Sequence, residues 1–258
     1  MMQERRRTIL EELEEHGTVR VTDLSKKLHC SEVTIRNDIK NMEQEGLLNR
    51  THGGATQIES TEKKKYQAES IYRNKEQKIE IATCAYEFIN DRDTIIIDDA
   101  SSSFYLALHI KNHPEKHLVV VTNSLLVGNE LANIQHVQLF VIGGQVGGNL
   151  AATLGDAAVN NLAPIHVDKA FIGVHGINFD VGITSIGSPQ MQVKQAILKT
   201  TKVIYVLADS SKFGGGYLQV ICPLSQIHKV ITDSNISQEC IRMAEKAQLS
   251  LVVAPKAK

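Results

Sequence analysis

From Gln3 to Glu15 the apolar residues Ile9, Leu10 and Leu13 fall on one side of a helical wheel. The run stops at Gly17, a residue suited to the left-handed conformation that ends helices. Two more short helices follow. Thr22 is placed to cap one that carries Leu24 and Leu28 four residues apart, and the polar turn His29-Cys30 ends it. Ser31 is placed to cap a longer one that runs to about Glu45 and closes at Gly46. On this third helix Ile35, Ile39 and Met42 recur at i, i+4 and i+7 and point at a core. At about 100° per residue the opposite face presents Val33, Arg36, Asn37 and Lys40, with Thr34 at its flank. After Gly46, L-L-N-R-T-H-G-G-A-T-Q-I-E reads as two extended stretches about His52-Gly53-Gly54, a hairpin carrying Arg50 and His52.

From Asn74 onward the pattern changes to apolar runs that alternate with helical stretches. The runs are Thr94 to Asp98, Leu118 to Thr122, Val137 to Gly144, Lys169 to Val174, Lys202 to Asp209, Lys229 to Thr232 and Leu249 to Val253. Runs this apolar predict strands covered on both faces. With S-F-Y-L-A-L-H-I-K, S-L-L-V-G-N-E-L-A-N, P-Q-M-Q-V-K-Q-A-I-L-K-T and S-Q-E-C-I-R-M-A-E-K-A between them, they predict a mostly parallel, doubly wound α/β domain. The organisation expected is therefore a winged helix-turn-helix over 1–58, a polar linker over 59–73 and a second domain over 74–258.

Composition changes the picture only by exclusion. The chain has 258 residues, 42% hydrophobic and 22% charged, which is globular rather than disordered. No apolar run approaches the ~18 residues of a membrane span. The amino terminus lacks the apolar stretch of a signal peptide, so a cytoplasmic protein is expected. Cys30, Cys84, Cys222 and Cys240 are scattered, which fits reduced thiols and no zinc site. The net charge of -1 names no partner, and through Lys65 basic and acidic side chains balance, twelve against twelve. They segregate, however. Glu11, Glu12, Glu14 and Glu15 gather on the first helix, whereas Lys26, Lys27, Arg36, Lys40 and Arg50 belong to the expected docking side.

A short helix, a tight turn and a longer helix form a helix-turn-helix. Its outer face combines cations for phosphates, an amide able to read adenine and apolar contacts for a thymine methyl. Ser31, Val33, Thr34, Arg36, Asn37, Lys40, Arg50 and His52 are the expected DNA contacts.

In the second domain the first strand ends in D-D-A-S-S-S. The hydroxyls of Ser101, Ser102 and Ser103, with the free amides of the helix that begins there, are expected to point one way and form an anion site. Other strands end in Thr122-Asn123-Ser124, in Gly143-Gly144, and in A-D-S-S-K-F-G from Ala208. All lie at the edge where open parallel sheets bind ligands. Asn123 and Asp209 can bond sugar hydroxyls, and Lys212 can neutralise phosphate. No G-x-G-x-x-G, phosphate-binding P-loop or G-x-S-x-G elbow occurs. His109, His113 and His117 have helical spacing, but Pro114 breaks the helix between them and no clear acidic partner accompanies them, so surface residues are expected rather than metal ligands.

Two motifs carry a resemblance. V-x-x-L-x-x-x-L-x-C-S-x-x-T-I-R-x-D-I from Val21 to Ile39, followed by R-T-H-G-G-A from Arg50, resembles the amino-terminal domain of the DeoR family of bacterial sugar-operon repressors. Asn37 stands where the family often has a second basic residue. From about Ser70 to Thr232 the chain is similar to the family's effector domain, whose fold is related to ribose 5-phosphate isomerase and glucosamine 6-phosphate deaminase. That similarity rests on N-K-E-Q-K-I, I-I-I-D-D-A-S-S-S, V-T-N-S, I-G-G, D-K-A-F-I-G, G-I-T, Lys194 and A-D-S-S-K-F-G.

The resemblance implies a homo-oligomeric repressor of a carbohydrate operon, with operator DNA and a phosphorylated sugar or sugar alcohol as partners and no cofactor. Implied effector contacts are Asp98, Ala100, Ser101, Ser102, Ser103, Thr122, Asn123, Ser124, Gly143, Gly144, Asp168, Lys194, Asp209 and Lys212. Ala100 replaces a common glycine and is expected to limit backbone freedom there. The alternative is a sugar-phosphate isomerase or deaminase with an appended helical domain. Asp168, at the place of an acidic loop in the related enzymes, favours that alternative. Gln190 and Gln192, unable to act as bases where family members often carry acids, oppose it. An activator of the same architecture differs only in where its operator lies.

Overall fold

The computed structural model describes residues 2–44, 47–57, 70–147, 150–185 and 188–256. The chain divides into two compact units, Met1–Glu69 and Ser70–Lys258.

The first unit contains α1 (Met2–His16), β1 (Thr18–Arg20), α2 (Val21–Lys27), α3 (Glu32–Gln44), β2 (Asn49–Thr51) and β3 (Gly54–Thr56). Gly17 has φ +71°, the left-handed turn that stops α1. Ile9, Leu13, Leu24, Ile35, Ile39 and Met42 are buried together, so the periodic positions make the core. The side-chain oxygen of Ser31 accepts the amide of Thr34 at 3.2 Å and caps α3. Thr22 does not cap α2. That helix starts two residues earlier than a Thr22 cap would place it, at Val21, because Arg20 takes the extended cap position as the last residue of β1. β1 itself escapes a pattern search, being three residues long. It pairs antiparallel with β3, which pairs with β2, so the wing is a three-stranded sheet. The expected end of the third helix at Glu45 and Gly46 lies outside the described residues.

The second unit is built on a seven-stranded sheet. Its strands are β4 (Thr94–Ile97), β5 (Leu118–Thr122), β6 (Val137–Val141), β9 (Lys169–Gly173), β12 (Ile204–Leu207), β14 (Lys229–Thr232) and β15 (Leu251–Val253). Every pairing is parallel and the order is β15-β14-β12-β9-β4-β5-β6. The seven apolar runs are these seven strands. Alternate residues bury on opposite faces. Ile95, Ile97, Val120 and Phe171 face α4 (Lys75–Tyr86), α5 (Ser101–Asn112) and α6 (Leu125–Leu131). Ile96, Val121, Ile172 and Val206 face α7 (Gly155–Leu162) and α8 (Ser188–Leu198), with α9 (Gln238–Lys246) contributing Ala244.

Burial on both faces fails at the sheet's edge. On β6, Phe140 is 50% and Val141 44% exposed, because an edge strand has a neighbour on one side only. Outside the main sheet lie β7 (Gln145–Gly147) with β8 (Ala152–Leu154), and β10 (Gly176–Asn178) with β11 (Gly182–Ser185) and β13 (Gln219–Cys222). These segments of three or four residues are too short to show a period. Residues 70–72, placed in the linker by their polarity, are helical, with Ile71 packed on the core. Arg73 lies in the turn that follows, and residues 59–69 of the expected linker lie outside the described residues.

Candidate functional site

In the first unit, the face of α3 opposite the core presents Val33, Arg36, Asn37 and Lys40 to solvent, with Thr34 half-buried beside them. Val33 is 67% exposed, a large apolar group left in water by the fold. Asn37 and Lys40 have no partner among the described residues. Arg36 donates to Glu32 at 3.0 Å, an exposed pair that a phosphate could displace at little cost. On the wing, Arg50 stands 3.9 Å from Glu43 and His52 is exposed in the turn. Lys27 departs from the expected segregation, because it donates to Glu12 of α1. Pattern reading also passed over Asp38, whose buried carboxylate accepts from Arg5 at 2.8 Å and ties α3 to α1. Its place beside Arg36 in the motif was the available signal.

In the second unit, chain order along the sheet reverses between β4 and β9, since β5 and β6 continue to one side and β12, β14 and β15 to the other. Such a switch point opens a crevice at the strands' carboxyl ends. The polar residues there fall into two groups.

The first group is consumed by the fold. Asp98 is fully buried and accepts from the amides of Ala100 (3.1 Å) and Gly173 (3.0 Å), from the Ser103 hydroxyl (2.5 Å) and from Lys194. Lys194 also donates to the Gly173 carbonyl at 2.9 Å. Burial works against its charge, yet Asp98 and Asp99 carry its pKa above the ordinary value. Thr122 accepts from the amide of Ser124 (3.0 Å), and Ser124 caps α6 through the amide of Val127 (3.3 Å). These bonds correct the expectation that Ser101, Ser102 and Ser103 point one way. Successive helical residues diverge by about 100°, and Ser103 turns inward to Asp98. Ser102 is buried and Ser101 half-buried at the start of α5.

The second group is not consumed. Asn123 is buried, its amide donating to Asp99 at 3.4 Å and to the Thr153 carbonyl at 3.5 Å, while its Oδ1 has no partner. Burial, with the charge of Asp98 adding, holds the Asp99 carboxyl above the usual range despite Lys194. Asp209 belongs with the first group, since its buried carboxylate accepts from the Ser211 amide and from Asn74, both at 3.1 Å, and from the Ser211 hydroxyl. Lys212, at the end of a short 3-10 turn (Ser210–Lys212), has no partner among the described residues. Gly143 and Gly144 follow β6 in the exposed loop, where Asn161 donates to the Gly143 carbonyl at 3.4 Å.

Two expectations fail outright. Asp168 precedes β9 and accepts the amide of Thr94, the first residue of β4, at 2.8 Å. It therefore sits at the amino ends of these strands, a strand's length from the crevice. Ala100 has φ −77° and ψ 155°, an extended conformation open to any residue, so it restricts nothing. The constraint lies across the gap, where a side chain on Gly173 would come within 2.1 Å of the Ala100 methyl.

Asp99, a carboxylate available to the enzyme alternative, stands outside the expected effector contacts, and no motif points to His175. His175 follows β9, with Nδ1 3.1 Å from the Ser185 hydroxyl. Pattern reading also passed over Lys78, whose buried ammonium donates to the carbonyls of Ser70 and Arg73 at 2.6 Å and is lowered by burial to about 8. His109 and His113 stack at 3.8 Å against Tyr86, half-buried, while His117 does have an acidic neighbour, Asp91 at 3.4 Å. A cavity of about 610 Å³ lined by Gln195, Lys199, Lys202 and Gln226 lies by the amino end of β12 and includes none of the predicted residues. Among the described residues no helix is long and apolar enough to cross a membrane.

A reading helix with a wing, joined to an α/β domain whose crevice keeps unpaired polar groups, defines a DNA-binding transcriptional regulator with a sensor. The chain belongs to the DeoR family. Residues 5–61 match the DeoR-like helix-turn-helix domain and residues 73–234 the DeoR C terminal sensor domain. It is 30% identical to the transcriptional regulator GolR of Listeria innocua over 97% of this chain and 98% of that protein. It is 31% identical to the lactose phosphotransferase system repressor of Lactococcus lactis over 90% of this chain and 91% of that one. The transcriptional repressor GlcR of Bacillus subtilis is 28% identical over 97% and 96%. Ribose 5-phosphate isomerase A from Neisseria gonorrhoeae overlays 55% of this chain and 54% of its own, with a TM-score of 0.40 at 17% identity.

Proposed function

We propose that this chain represses a carbohydrate-utilisation operon and leaves its operator when a phosphorylated sugar or sugar alcohol enters the sensor crevice. The observation that carries the sensor half of this reading is the orphan Oδ1 of Asn123. A buried acceptor without a donor costs about 1–3 kcal/mol, and a ligand hydroxyl would recover it. Asp99 beside it takes a second hydroxyl, and Lys212 supplies the charge for a phosphate. The relatives named as repressors support the direction of control, and one of them is named for a sugar phosphotransferase system.

On DNA, Arg36, Asn37 and Lys40 enter the major groove with Val33 against a thymine methyl, while Arg50 and His52 of the wing meet the backbone. A homo-oligomer in the cytoplasm sets two such helices on half-sites about one helical turn apart. The crevice binds without catalysing. Linkage then requires that DNA weaken effector binding by the factor by which effector weakens DNA binding, typically about 5 to 150-fold.

Fluorescence anisotropy of the purified chain on duplexes from upstream of its own and adjacent genes tests this directly. One duplex binds preferentially, and one sugar phosphate of a hexose and pentose panel releases it. Asn123→Ala, which removes the orphan acceptor, leaves DNA binding intact and abolishes release. No preference for any duplex, or turnover of a panel member, overturns the proposal.

A further inference from the structure

His175 stands at the sheet's switch point without a task in the fold that requires a histidine. β9 ends at Gly173, the residue whose amide and carbonyl hold Asp98 and Lys194, and His175 is the second residue beyond it. It leads into β10, which pairs with β11, and the last residue of β11 is Ser185. The Ser185 hydroxyl fixes Nδ1 at 3.1 Å, and the Tyr217 ring meets the imidazole edge-on at 5.9 Å. The ring's orientation is thus set from two sides, while Nε2 has no partner among the described residues. The charged groups bearing on it are Lys194 from α8 and Lys212 from the turn after β12. Burial first, and then these two cations, lower its pKa to about 3. A neutral imidazole adds nothing to a phosphate site that Lys212 does not already supply, but it is a directional partner for one uncharged oxygen.

We infer that His175 is a specificity-determining residue of the sensor crevice, its Nε2 hydrogen-bonding one oxygen of the sugar part of the effector while Ser185 holds its Nδ1. This rests on the effector reading above. The phosphate is read by charge at Lys212, and the sugar by Asn123, Asp99 and His175, which lie on loops after three different strands. A ligand that matches all of them must present oxygens across the switch point, and this separates sugar phosphates that carry the same phosphate.

Thermal-shift and calorimetric titrations of the full chain with ribose 5-phosphate, fructose 6-phosphate, glucose 6-phosphate and inorganic phosphate test the assignment. For the sugar phosphate that wild type binds most tightly, His175→Phe weakens binding about 10-fold, the effect of an unmade hydrogen bond in a closed site, and leaves inorganic phosphate within twofold. His175→Gln, which keeps a polar group of similar reach, restores part of the loss and changes the rank order of the panel. Unchanged sugar-phosphate affinity in His175→Phe, or parallel loss of inorganic phosphate, overturns the inference and leaves the effector reading standing. If His175→Phe fails to fold, an unaltered rank order in His175→Gln overturns it as well. A wild-type chain stabilised by no sugar phosphate sinks the effector reading and this inference together.

Discussion

The reading face of α3 and the carboxyl edge of the sensor sheet are both polar, and they hold their polarity in opposite ways. On α3 the side chains proposed to meet DNA are in water, bonded weakly or not at all, and the helix beneath them depends on Ile35, Ile39 and Met42. At the sheet edge Asp98, Ser103, Asn123 and Lys194 are all buried, and most are spent on one another. A surface residue can be exchanged with little effect on the fold. A buried polar residue must first be shown free of structural duty before it is given a ligand.

The sharpest way to break that contrast is Lys194→Met, which leaves the Asp98 carboxylate buried without its counter-charge. Removing one partner of such a pair costs about 3–5 kcal/mol, so chemical denaturation of the sensor unit shifts strongly. A midpoint within error of wild type would return Lys194 to the list of ligand contacts. Arg36→Ala probes the other side of the comparison. It weakens operator binding by about 10-fold, the size of one base or phosphate contact, with no change in melting temperature. Loss of stability there would mean that α3 is a packing element. Ser31→Ala removes the cap of α3 and lowers the stability of the first unit by about 1 kcal/mol, read from its urea midpoint.

Two smaller effects refine the sensor side. Burial holds the imidazoles of His109 and His175 at about 4 and about 3, below their ordinary 6.5. Between those values and 6.5 the unfolded chain binds more protons than the folded one. The contribution is therefore complete above pH 6.5 and is lost as the pH falls toward 4 and 3. Denaturant midpoints between pH 7 and 4.5 decline less steeply in His109→Gln than in wild type. The smallest effect belongs to Asp168→Asn. Sugar-phosphate affinity stays within twofold because that side chain is at the far end of the strands, and a large loss would contradict this placement.

The errors of the sequence reading share a cause. Asp168 and Asp98 look alike in a string, each an acid at the end of an apolar run. One precedes its strand and the other follows it, and that single difference puts them at opposite edges of the sheet. Ser101, Ser102 and Ser103 look like a ligand triplet until the helical turn separates them. His175 carries no motif at all, and its interest comes from Ser185, ten residues away in the chain and 3.1 Å away in space.

What the chain determines locally was legible in its letters. The helix faces, the cap at Ser31, the stop at Gly17 and the seven strands depend on periods of a few residues and on single side chains acting on their own backbone. Only tertiary structure decided the order β15-β14-β12-β9-β4-β5-β6, the pairing of Asp98 with Lys194 and the orphaned oxygen of Asn123. Hydrogen bonds between residues tens of positions apart exist only once the sheet has set its strands side by side. It is those bonds that decide which polar groups the fold consumes and which it leaves for a ligand.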